Sequence, residues 1–145
     1  MKDIAENVLK TWLNMTTIIN NNKLTKEIPL NEALICRFLI QNEGKDVTMS
    51  DLCHELMTLK SQMNKTLGNM EKKGLIYKER SENDKRQVYV RFKKEALPLF
   101  EKQHQKIIDL VIRVIKDVGE SEVKTLIEVF DKVANAASKE IVKNG

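Results

Sequence analysis

Between Thr58 and Phe92 the chain changes period, from one that suits a helix to one that suits strands, and this change restricts the fold more than any other feature. Leu59, Met63, Leu67 and Met70 recur at spacings of four and three, which places them on one helical face. Thr58 is positioned to cap that helix. Gly74 can take the left-handed conformation that closes it, and Lys72 and Lys73 suit the negative end of the helix dipole. Beyond it, Leu75 to Arg80 and Gln87 to Phe92 alternate apolar with polar residues, as half-buried strands do, and Ser81 to Arg86 form a polar turn between them. The spacing therefore predicts a helix followed at once by a hairpin.

The same stretch carries the whole excess of positive charge. Residues 58–94 hold 11 Lys and Arg against 4 Asp and Glu, residues 1–57 hold 6 against 8, and residues 95–145 hold 8 against 9. Clustered cations gain free energy by displacing counterions condensed on phosphates, so a polyanion is the natural partner. The outward side of the helix offers Lys60, Ser61, Gln62, Asn64 and Lys65, groups that can match the donor and acceptor pattern on base edges in the major groove of double-stranded DNA. At the hairpin tip Arg86 is placed to reach a neighbouring minor groove, and Lys85 beside it is a further candidate for DNA binding. A charge run taken alone is more often a solvated surface.

Upstream, Thr48-Met49-Ser50-Asp51 fits a capping box, with Asp51 reaching back to the Thr48 amide. The helix it starts has Met49, Leu52, Cys53 and Leu56 to bury and turns within a few residues into the basic helix. Two helices joined by so short a turn make a helix-turn-helix unit. Thr48 and Ser50 are candidates for phosphate contacts, although capping explains Thr48 without DNA.

The stretch KTLGNMEKKGLIYKERSENDKRQVYVRFKKEALPLFEK, residues 65–102, resembles the recognition helix, wing and following helix of the multiple-antibiotic-resistance regulator (MarR) family of bacterial winged helix-turn-helix proteins. The likeness rests on Met70-Glu71-Lys72-Lys73-Gly74-Leu75-Ile76 at the helix end and on Asp84-Lys85-Arg86 in the wing. It implies that Arg86 enters the minor groove while Asp84 steadies the wing. It implies a mainly α fold with a small β-hairpin wing: a winged helix-turn-helix domain over residues 29–94, with dimerisation helices in 1–28 and 95–145. Two departures stand out. Met57 occupies a turn position where the family often has Gly, and an ungapped alignment puts Leu59, not Thr58, at the cap.

The remaining sequence fits helices that pair. Ile4, Val8, Leu9, Trp12, Met15 and Ile19 share one side of a helix over residues 3–20, and Asn20-Asn21-Asn22 weakens its end. Pro29 marks a break, and Asn31 is placed to cap a second helix that turns Leu34, Ile35, Phe38 and Leu39 inward. From Glu95 onward a long helix and a final one from about Ser121 carry more apolar surface than one stripe against a small core would use. This predicts burial against a second subunit, hence a homodimer whose two recognition helices lie about 34 Å apart on a pseudo-palindromic site. The family resemblance adds a small aromatic effector that releases DNA, in a cleft for which Trp12, Met15, Phe38, Phe100 and His104 are the candidate walls.

Other chemistry finds little support. Cys36 and Cys53 read as small buried residues, not as a disulfide or an oxidant sensor. No CxxC or HxxxH spacing points to a metal, and no nucleophile with a base, phosphate-cradling loop or nucleotide fingerprint points to an enzyme or a cofactor. Charged residues at 32% and aromatics at 5% favour a helical protein. No apolar run approaches the roughly 20 residues of a membrane span and no signal-peptide core opens the chain, so a cytoplasmic protein is expected. The rival function is a winged-helix module that binds an acidic protein partner.

Overall fold

Six helices and one antiparallel hairpin make up the described residues, 1–21 and 26–144, of this computed structural model. Helix α1 (Lys2–Asn20) exposes every residue from Lys2 to Ile19, the apolar side included. Trp12 is 59% exposed, so it belongs to no core formed by this chain alone. Asn22, expected to weaken the end of this helix, lies outside the described residues.

Helix α2 (Leu30–Gln41) starts two residues earlier than the sequence suggests, with Pro29 and not Asn31 at its N-cap. Its buried residues are Glu32, Ile35, Cys36 and Leu39, while Leu34 faces outward. The inward face thus includes Glu32, which meets a distant lysine described below. Helix α3 (Met49–Glu55) begins with the expected capping box: the Asp51 amide donates to Thr48 Oγ1 at 3.2 Å, and the Thr48 amide donates to Asp51 Oδ2 at 2.8 Å. It ends when the Thr58 amide donates back to the Cys53 carbonyl and the Met57 amide to that of His54. This closure needs a left-handed residue, and Met57 supplies it with φ of 48°.

Helix α4 (Lys60–Lys72) accordingly starts one residue later than a Thr58 cap would give. Leu59 takes the N-cap position without a side-chain hydrogen bond, and the Thr58 hydroxyl donates instead to the Leu56 carbonyl at 3.1 Å. Leu59 is therefore exposed, and the inward face consists of Met63, Thr66, Leu67 and Met70. At the far end Gly74, with φ of 75°, donates to the Glu71 carbonyl while the Leu75 amide donates to that of Met70. Both pairs of bonds satisfy carbonyls that a helix end leaves open.

Strands β1 (Ile76–Arg80) and β2 (Val88–Phe92) pair in the register Ile76 to Phe92 through Arg80 to Val88. A short third edge was not foreseen: the Val90 amide donates to the Val47 carbonyl at 2.7 Å, and Thr48 bridges to Tyr89. After a single 3-10 turn at Lys94–Ala96, helix α5 (Leu97–Val118) runs to Gly119, which takes φ of 109° before helix α6 (Glu120–Asn144).

Packing divides the chain into residues 1–104 and 105–145. The core of the first unit gathers Ile28, Ile35, Leu39, Val47, Leu52, Met63, Leu67, Met70, Leu75, Ile76 and Val90. Each large side chain among these contributes about 1.5–3 kcal/mol by leaving water. Gln103 ties α5 into this unit. Its buried amide accepts from the Ile28 amide at 3.1 Å and donates to the Ile28 carbonyl, satisfying backbone that Pro29 leaves outside any helix. In the second unit Ile107, Leu110, Ile115, Val123 and Ala137 are half-buried, whereas Val111, Ile112, Val114, Leu126, Ile127, Phe130 and Val133 remain exposed.

Candidate nucleic-acid interface

Because Met63, Leu67 and Met70 anchor α4 from one side, its other side is turned to solvent. Lys60, Ser61, Gln62, Asn64 and Lys65 are all exposed there, within the first two turns. None of their side chains makes a hydrogen bond or ion pair with another described residue. Ser50 is exposed on the first turn of α3, and Thr48 is half-buried with its hydroxyl engaged in the capping box.

The hairpin tip is organised by two short side chains. Ser81 Oγ accepts from the amides of Asn83 and Asp84, and Asp84 Oδ1 accepts from the Arg86 amide at 3.0 Å. A turn stabilised by such side-chain-to-backbone bonds holds its tip in one conformation. Lys85 and Arg86 project from it, exposed and without an ion pair among the described residues.

Among the described residues, four of the eleven cations of this stretch are held in ion pairs and seven are not, Lys72, Arg80 and Lys93 among the latter. Lys73, Lys78, Arg91 and Lys94 have carboxylate partners, namely Glu32, Glu71, Asp46 with Glu79, and Glu43. The cations singled out from the sequence for DNA, Lys60, Lys65, Lys85 and Arg86, have none. Lys73 has a structural task, since its Nζ lies 2.7 Å from Glu32 Oε2, whose side chain is only 5% exposed. A carboxylate so enclosed needs its counter-ion. Sequence reasoning missed this pair and the contacts of Arg91 to Lys45 and Asp46, since no local pattern links residues more than 40 positions apart.

The residues proposed as walls of an effector cleft are only partly assembled. The rings of Phe100 and His104 stack with centroids 5.8 Å apart, and Phe92 meets Phe100 edge-on at 6.4 Å. Phe38 packs half-buried against the core, and Trp12 and Met15 lie exposed on α1. An open groove of about 520 Å³ does exist between the end of α2, the hairpin and the start of α5, bounded by Leu39, Val47, Tyr77, Val90, Arg91 and Phe92. None of the five proposed residues lines it.

Cys36 is fully buried, and burial first, then the nearby Glu32 carboxylate, pushes its thiol up to about 12. Cys53 is half-buried. Among the described residues no group of three His, Cys, Asp or Glu could hold a metal ion, and no helix is long and apolar enough to cross a membrane.

Comparison with known proteins fits this geometry. The sequence profile of the MarR family matches residues 27–87, from the core residue Ile28 to the wing. No curated protein matches by sequence. Among solved structures, the chain is similar to a MarR protein from Peptoclostridium difficile, with 16% identity, TM-score 0.82, and 96% of this chain and 92% of that one covered. It is also similar to AbsC, a MarR family transcriptional regulator from Streptomyces coelicolor, with 22% identity, TM-score 0.74, and coverage of 93% and 95%. A third is FabT from Streptococcus pneumoniae in complex with DNA, with 22% identity, TM-score 0.67, and coverage of 95% and 97%. A capped α3, a solvent-facing basic α4 and a hairpin tipped by Asp84 and Arg86 thus lie within the segment that the MarR family profile matches, and the chain has the winged helix-turn-helix fold of the MarR family transcriptional regulators it is similar to.

Proposed function

We propose that the chain acts as a homodimeric, sequence-specific DNA-binding repressor that holds a pseudo-palindromic operator and is released by a small ligand. The observation that carries this reading is the division of the cations. Those on the outward face of α4 and at the wing tip lack protein partners, whereas most of those elsewhere in the stretch have one. Exposed Lys and Arg without protein partners are what a phosphate backbone requires. In this reading Lys60, Ser61, Gln62, Asn64 and Lys65 face the major groove, Arg86 the minor groove, and Ser50, Thr48 and Lys85 the phosphates. FabT, with the same fold, was solved in complex with DNA.

Dimerisation is supported by apolar surface that the single chain leaves in water. Ile4, Val8 and Trp12 on α1 and Leu126, Ile127 and Phe130 on α6 are each at least 46% exposed. Contiguous surfaces of this kind are covered in stable proteins, and a two-fold partner brings a second recognition helix to the next turn of the duplex. Release by a small aromatic effector would follow from a change in the separation of the two helices. Of the candidate cleft residues, the stacked Phe100 and His104 are the pair the fold already joins.

Selection from random duplexes tests this reading. A DNA-binding dimer should enrich an inverted repeat spanning about 16–20 base pairs. Failure to enrich any sequence would contradict it and favour a module for an acidic protein partner.

A further inference from the structure

The outward face of the hairpin holds one side chain with more partners than stability requires. From Arg91 on β2, Nε donates to Glu79 Oε2 on β1 at 2.9 Å, and Nη1 donates to the Lys45 carbonyl at 2.6 Å. Nη2 donates to Asp46 Oδ1, and the guanidinium lies 5.2 Å from the centre of the Tyr89 ring. One planar group thus joins both strands of the wing to the segment that runs through Val47 into the capped start of α3. Asp46 and Glu79 are 59% and 53% exposed, so neither carboxylate was forced to find a partner by burial. Exposed ion pairs contribute only about 0–1 kcal/mol each, which makes stability a weak reason for three acceptors on one guanidinium. What a fork with fixed donor directions supplies is geometry.

Resting on the DNA-binding reading above, we propose that Arg91 is a positioning residue for the wing, setting the pose from which Arg86 enters the minor groove. Arg91 itself is unsuited to bind phosphate, because two carboxylates already oppose its charge. It lies at the base of the hairpin, and Arg86 is five residues away at the tip. At a strand rise of about 3.4 Å per residue that distance is roughly 17 Å, so a tilt of about 5° at the base moves the tip by about 1.5 Å. Productive contacts of this type tolerate a displacement of about 0.5 Å. Without the clamp the base of the wing keeps its strand pairing, the Val90 bond to Val47 and the burial of Ile76 and Val90, but loses the side-chain fork that fixes its angle against the Lys45–Asp46 segment.

The test uses the sign of the electrostatic effect. Asp46→Ala combined with Glu79→Ala removes two negative charges from a DNA-binding surface, and charge alone would then tighten binding. The clamp predicts the opposite. Affinity for the selected duplex, measured by fluorescence anisotropy, should fall by about fivefold or more, a large part of what loss of a groove-reading Arg typically costs. Arg91→Lys, which keeps the charge but not the fork, should weaken binding to a similar degree. In an Arg86→Ala background neither change should weaken binding further, and the double carboxylate change should if anything tighten it, because the tip they position is gone and only the charge effect remains. Unchanged or tighter binding by the double carboxylate variant, or a loss that persists undiminished without Arg86, overturns the positioning role while leaving DNA binding intact. If Arg86→Ala alone binds as the parent does, the wing reading itself has failed, and the inference falls with it.

Discussion

Cys36 illustrates how a residue's neighbours decide its chemistry. On α2 it looks like a small apolar filler bordering the stripe, and the structure puts it wholly inside, one turn from the enclosed carboxylate of Glu32. Burial and that carboxylate both disfavour a thiolate, so the thiol ionises near 12 in place of its ordinary 9.0. The linkage follows directly. Above pH 9 the unfolded chain loses this proton while the folded chain keeps it, so the contribution to stability is full below pH 9 and is lost as the pH climbs towards 12. Denaturant melts of the parent and of Cys36→Ala between pH 8 and 11 should diverge in slope, with the parent losing stability faster. Parallel slopes would mean that the thiol is not held protonated by the fold. The burial of Glu32 was not legible in the sequence for a related reason: its partner Lys73 is 41 positions away, and an isolated glutamate in a first turn reads as a solvated one.

At the scale of elements, the parts governed by local chemistry were readable and those governed by closure were not. The capping box at Thr48, the Gly74 stop and the two strands of the hairpin each act over a few residues, and each appears where the sequence puts it, although β1 buries only Ile76 and does not alternate in burial along its length. The start of α4 does not follow from its own residues. Thr58 is a good cap by type, but the amide of Thr58 is drawn back to Cys53 to close α3, and the helix can begin only after that bond is made. The resemblance placed Leu59 at the cap, and the structure agrees. Met57 bears the cost, since a side chain at φ of 48° is disfavoured by roughly 1–2 kcal/mol relative to glycine. Met57 is also 68% exposed and contributes no packing that would be missed. Met57→Gly should therefore stabilise the domain by about 0.5–1 kcal/mol after the added freedom of the unfolded chain is allowed for. A thermal melt with a lower midpoint than the parent would show that the turn depends on the methionine side chain. The third edge at Val47 and the Gln103 bridge to Ile28 were invisible to pattern reading, because one involves two residues and the other spans 75 positions.

For the whole molecule, the apolar excess of the terminal helices was legible as a count and is visible as exposed surface on α1, α5 and α6. What covers it was not legible, because a sequence pattern shows that a face needs a partner and not which one. The account assigns it to a second copy, and from that assignment comes the geometry of DNA recognition: two α4 helices held at a fixed spacing on one face of the duplex. The most direct measurement is the affinity for the selected inverted repeat after five base pairs are inserted at its centre, about half a helical turn. The account predicts that binding drops to the level of a random duplex, because one half-site now points away from its helix. Affinity that survives the insertion would contradict a rigid two-fold reader.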